Sequence, residues 1–293
     1  MIEKWVLLSL LSAFSLATSD ALTKRVITQE NEYVIGWFRV LFGLPALFAA
    51  LVLSGPLPQI DGPFLAAFAA ALPLEIAAIL LYYKALRLSP LSLSLPFLSF
   101  TPVFLIVLSF VLVGERVSAV GALGIALIGL GGYTLNLSAL RSGFLEPIRA
   151  VGRERGSLYM LIIALIYSVT SALGKIGVEH SSPAFFGFTY FLALAISLLP
   201  IIVRRSGAGR LLPLLKSNFR IALLPSVFDA IAIVSHFYAV SMVNVAYMIA
   251  VKRSSLLIGT VYGFLLFREQ NIRERLLGAL FMFAGFVVVV IAK

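Results

Sequence analysis

The chain contains no cysteine in 293 residues, which excludes disulfides and thiolate metal sites and leaves the redox compartment open. Histidine is nearly absent too. His180 and His236 lie far apart and form no spaced ligand pair, so neither a structural nor a catalytic zinc is expected. Charge is scarce, with 12% of residues Asp, Glu, Lys or Arg against 61% hydrophobic. No soluble core needs that much apolar surface, and the mean hydropathy of +1.05 points to lipid as the solvent for most of the chain. The short alternating runs of a membrane β-barrel are missing as well.

What is present is long apolar helical runs. A helix needs about 20 apolar residues to cross a bilayer. Ten such spans are read at 4–24, 33–53, 63–86, 90–113, 118–138, 157–177, 183–203, 219–241, 243–267 and 275–292. The fold class expected is therefore an all-α membrane protein of ten transmembrane helices. The apolar N-terminus looks superficially like a signal peptide. It is expected to be retained, because the second half has a counterpart to it around Tyr167–Gly177.

The chain also says the same thing twice. Residues 63–138 shifted by 154 positions fall on 217–292 without a gap. Glu115 lands on Glu269, Glu75 on Asp229, Tyr82 on His236, and Gly124 and Gly131 on Gly278 and Gly285. The halves are read as 1–139 and 157–293, joined by a polar linker at 140–156. Five spans per half is an odd number, so the second copy enters from the opposite side and the repeats are inverted. Loop charge sets orientation. The side holding the termini carries four Lys and Arg and the other side sixteen, which favours both termini outside. The net charge of +10 is read as these loop charges meeting anionic lipid headgroups, not as a nucleic-acid surface.

Several intramembrane residues are candidates for chemistry. Lys252 and Arg253 sit side by side in the middle of the ninth span, where each charge costs about 2.5–3.5 kcal/mol on insertion scales. Either acids on neighbouring helices or a wet cavity accepting an anion must offset that cost; Arg offers a planar fork and Lys a point charge. Glu75 and Asp229, halfway along spans 3 and 8, either neutralise the doublet or bind and release a proton during turnover. Each shares a helix face with the aromatic residue two turns on, Tyr82 or His236. Arg39 is expected to snorkel from span 2 or to touch substrate. Tyr247, Tyr190, Trp37, Phe191 and Tyr238 are candidate aromatic walls. Asp20 and Lys24 are expected to pair near the end of span 1, with Lys175 in a similar interfacial setting. Pro73 and Pro225, close before the matched acids, are candidate hinges. The glycines of spans 5 and 10 mark a scaffold or a homodimer surface.

Paired five-helix halves whose fourth helix ends in Gly114-Glu115 or Arg268-Glu269, each followed by a Gly-rich helix, resemble EamA-type members of the drug/metabolite transporter superfamily. The resemblance implies a cavity lined by spans 1–4 and 6–9, alternating access, no cofactor, and substrates drawn from amino acids, nucleotide sugars, sugar phosphates, drugs and other metabolites. It implies residence in the plasma (inner) membrane of a prokaryote. It also implies both termini in the cytoplasm, against the loop charges. The Lys252-Arg253 pair resembles the doublet by which plastid sugar-phosphate translocators of that superfamily hold phosphate. The first-half equivalents here, Leu98 and Ser99, are uncharged. The expected function is a secondary transporter of a small polar, anionic, organic metabolite, with no ATP-driven step. The alternatives are a proton-coupled exporter of amino acids or drugs, an intramembrane enzyme on a lipid-linked substrate, and a channel or scaffold.

Overall fold

The computed structural model describes residues 3–27, 32–89, 94–134, 155–268 and 276–293. Every regular element among them is helical: α1 (Lys4–Ile27), α2 (Glu32–Leu53), α3 (Gly62–Leu88), a 3₁₀ turn (Leu95–Phe100) leading into α4 (Thr101–Val113), α5 (Ala119–Thr134), α6 (Arg155–Glu179), α7 (Pro183–Ser206), α8 (Ala208–Val240), α9 (Val245–Lys252), α10 (Ser255–Phe267) and α11 (Leu276–Ala292). Eight helical stretches are long and apolar enough to cross a membrane, and Ala119–Thr134 and Leu277–Ala292 are shorter apolar helices. The lipid-facing surface is studded with large apolar side chains such as Leu53, Leu280 and Ile291. Glu269 and most of the 140–156 linker lie outside the described residues.

Local chemistry sets the helix ends. Asp61 caps α3 by accepting from the Phe64 N–H at 3.0 Å, and Ser182 caps α7 by accepting from Phe185 N–H at 3.2 Å, each with a proline in the first turn. Gly114 ends α4 in the left-handed region at φ 80°, where glycine has no Cβ to clash. Its repeat-mate Arg268 ends α10 in the same region at φ 54°. The Gly-Glu and Arg-Glu pairs thus mark one shared helix stop.

Packing follows the repeat. α1 lies on α8 as α6 lies on α3; α4 packs on α6 as α9 and α10 pack on α1; α2 meets α7 and α5 meets α11. The last contact is glycine on glycine and runs antiparallel: an ideal Cβ on Gly285 falls 2.5 Å from Gly124 O, and one on Gly131 falls 2.7 Å from Gly278 O. Gly124 and Gly131 meet each other's repeat-mates, so the two glycine faces are consumed within one chain. The ninth span differs from its sequence expectation. It is one apolar span whose regular α-helix is interrupted by a tightened turn at Arg253–Ser254, between α9 and α10.

Candidate functional site

The two halves enclose a cavity of about 170 Å³ lined by α1, α2, α3, α6, α7, α8 and α9, with Leu98 from the 3₁₀ turn. A single water needs about 10–15 Å³ by the same measure, so the space admits several waters or a small solute. Arg39, Glu75, Asp229, His236, Lys252 and Arg253 all line it, with Tyr82, Tyr83, Tyr167, Tyr190, Phe186, Phe191 and Phe237 as aromatic wall.

Two polar clusters share this space. In the first, Arg39 bridges the halves: Nη1 donates to Asp20 Oδ1 at 2.7 Å and Nη2 to Asp229 Oδ1 at 2.5 Å. Tyr82 Oη donates to the other oxygen of Asp20 at 2.5 Å. Arg39 therefore does not snorkel. It is 4% exposed and paired with two carboxylates, its Nε alone lacking a partner, because a guanidinium at the bundle centre needs fixed counter-charges that a bilayer does not supply. Asp20 belongs to this core cluster, not to an interfacial pair at the helix end. Lys24 instead donates to the backbone carbonyls of Leu86 and Ser89 at the end of α3.

The second cluster is cationic. Lys252 Nζ lies 3.1 Å from His236 Nδ1. A neutral imidazole accepting there carries its hydrogen on Nε2. Arg253 is 4% exposed, its Nε has no hydrogen-bond partner, and neither Lys252 nor Arg253 forms an ion pair among the described residues. Glu75 has Thr170 and Lys252 as its polar neighbours. The matched acids thus diverge: Asp229 is committed to Arg39, while Glu75 stands beside the doublet without pairing it. The break after α9 places both basic side chains at the helix end, where they reach the cavity from consecutive positions.

Tyr247, Trp37, Tyr238 and Lys175 depart from their sequence expectations. Tyr247 does not line the cavity: its ring covers Gly121 and its hydroxyl meets the Ser118 N–H at 2.9 Å and Ser118 Oγ at 3.0 Å. Trp37 is buried, donating to Ala195 O at 2.8 Å, and Tyr238 is also absent from the lining, whereas Tyr190 and Phe191 belong to it. Lys175 pairs with Glu179 at 3.1 Å near the end of α6, as its position suggests, but it does not lie at the surface. It is 4% exposed and donates to Val240 O at 2.7 Å and Val243 O at 3.2 Å. The repeat does not single out Asp20, because its position in the second half is Gly174.

The fold and the cavity define an integral, multi-pass helical membrane protein built from two related halves. The model of the EamA-like transporter family matches residues 3–137 and again 154–291, and the chain belongs to that family. It is accordingly a membrane transporter of the drug/metabolite type. A solved crystal structure shares the fold with a TM-score of 0.70 at 15% identity, covering 98% of this chain and 97% of its own. No curated protein matches the sequence.

Proposed function

We propose that the protein is a secondary transporter of a small organic anion, whose carboxylate or phosphate is held by Lys252 and Arg253 near the membrane midplane. One observation carries this reading. Of the three cations that line the cavity, Arg39 is paired with two carboxylates, whereas Lys252 and Arg253 form no ion pair among the described residues, Glu75 being the acid that stands near Lys252. Two buried, adjacent cations without a direct ion pair, with only Glu75 standing near them, are costly unless a ligand supplies further counter-charge. Arg253 brings the planar fork suited to an oxyanion and Lys252 a mobile point charge. Tyr167, Tyr190 and Phe186 suit the apolar body of such a solute. The antiparallel glycine crossing of α5 and α11 supports ten crossings arranged as inverted repeats, and hence rocking of the halves about a central site.

The test is a thermal-shift screen of phosphorylated and carboxylated metabolites in detergent. Stabilisation by an anion that is lost in Arg253→Ala supports the reading. Stabilisation by organic cations and by no anion overturns it. Losing one charge-assisted contact should weaken binding by about 10–100-fold.

Proton coupling is a second reading, favoured by the placement of Glu75 and Asp229 at repeat-matched positions on the same cavity. It predicts substrate-driven proton movement in liposomes that Glu75→Gln abolishes while binding persists.

A further inference from the structure

The end of the bundle that holds the termini is laced by contacts between the two halves. Asp61 Oδ2 lies 2.6 Å from His180 Nδ1, Asn244 Nδ2 donates to Arg116 O at 3.4 Å, and Ser118 meets Tyr247. Glu115 is the centre of this seam. Its Oε2 accepts from the Val245 N–H at 2.8 Å, the first residue of α9, and its Oε1 lies 3.5 Å from Lys175 Nζ. One first-half carboxylate therefore grips two second-half helices, α6 and α9.

We infer that Glu115, docked on Lys175 and on the N-terminus of α9, is the releasable closure of this end of the cavity. The inference rests on the alternating-access reading above. Its logic lies in what each partner keeps when Glu115 leaves. Lys175 retains Glu179 at 3.1 Å and the carbonyls of Val240 and Val243, all within its own half. The start of α9 retains Asn244, whose Oδ1 accepts from the Ala246 N–H at 2.9 Å. Glu115 returns to water at a loop. Opening therefore strands no buried charge, which is the condition for a reversible closure. The closure is also joined to the site, since α9 is a rod of eight residues with Glu115 held at Val245 and Lys252 at the other end, about 10 Å along the axis at 1.5 Å per residue.

The opposite end carries the matching lysine seat. Lys24 donates to the carbonyls of Leu86 and Ser89, which are the positions 154 before Val240 and Val243. Each half thus has a lysine tying its first helix to the end of its third. Both seats lie within a half and persist as the halves rock, while the Glu115 contacts cross between halves and must break.

The absence of cysteine makes the test clean. Ser171, on the cavity wall, is replaced by cysteine, and a membrane-impermeant maleimide is added on the side of the termini. Slow labelling of S171C and labelling about tenfold faster in S171C/E115Q is the expected result, the factor corresponding to loss of one charge-assisted contact from the closed state. Glu115→Asp, which keeps the charge but shortens its reach, should give an intermediate rate and serves if the amide variant does not insert. Equal rates with and without E115Q in folded protein overturn the inference. So does an equal rise in S171C/K24Q, altered at the far end, because that reports general loosening. No substrate is needed, so failure here leaves the anion-binding reading standing, and failure of anion binding leaves this result readable.

Discussion

Arg39 and Arg253 are both arginines buried to 4% exposure in one cavity, yet the surrounding carboxylates give them different work. Arg39 joins Asp20 of α1 to Asp229 of α8, so its removal leaves two buried acids facing each other. Arg39→Ala should destabilise the protein by about 3–5 kcal/mol, measured by unfolding in detergent. Arg39→Lys should restore only part of this, since a compact ammonium on a shorter side chain lacks the planar, widely spaced donors that reach Asp20 and Asp229 together. A second expectation concerns Arg268, which holds the left-handed conformation that its repeat-mate Gly114 adopts freely. Arg268→Gly should raise stability by about 1 kcal/mol, because a Cβ in that region is sterically penalised. Single residues were the least legible layer of the sequence. That Lys252 and Arg253 stand in the middle of an apolar run is plain from the text of the chain. That Asp229 would choose Arg39 over them depends on distances across three helices.

The elements were far more legible. Apolar runs, the Asp61-Gly62-Pro63 and Ser182-Pro183 starts, and the glycine stop at Gly114 mark helix ends that the structure reproduces within a few residues. Ser182→Ala should cost about 1 kcal/mol through loss of the α7 cap, read as faster amide exchange at Phe185. The turn within the ninth span carries no proline or glycine, so the sequence gives it no signal. Arg253 and Ser254 keep right-handed dihedrals and form a tightened turn between α9 and α10, which neither residue type demands. The glycines of α5 and α11 were recognised as close-approach positions, but not as each other's partners. Gly285→Val pushes a side chain into the Gly124 carbonyl, and overpacking of this kind costs about 1–3 kcal/mol. The expected readout is a lowered melting temperature with the ligand-binding profile intact, because neither helix lines the cavity.

At the scale of the whole molecule, two related halves share one scaffold and differ in charge. The 154-residue register is kept by the glycine crossing, by the helix stops at Gly114 and Arg268, and by the carbonyls that seat Lys24 and Lys175. It fails for Asp20, Arg39, Lys252 and Arg253, whose counterparts are Gly174, Ala193, Leu98 and Ser99. Symmetric parts suit a motion that both halves share, and asymmetric parts suit recognition of one unsymmetrical solute. The repeat was readable because it recurs at fixed spacing. The two lysine seats were not, because Lys175 reaches its carbonyls from a position three residues, about one turn, out of register with Lys24. The most direct measurement is uptake of the anion selected by thermal shift into proteoliposomes, comparing the unaltered protein with Lys252→Ala and Arg253→Ala. Saturable uptake that both variants lose while remaining folded is the predicted result. Linear, non-saturating flux, or saturable uptake unchanged in both variants, would contradict anion recognition by the doublet.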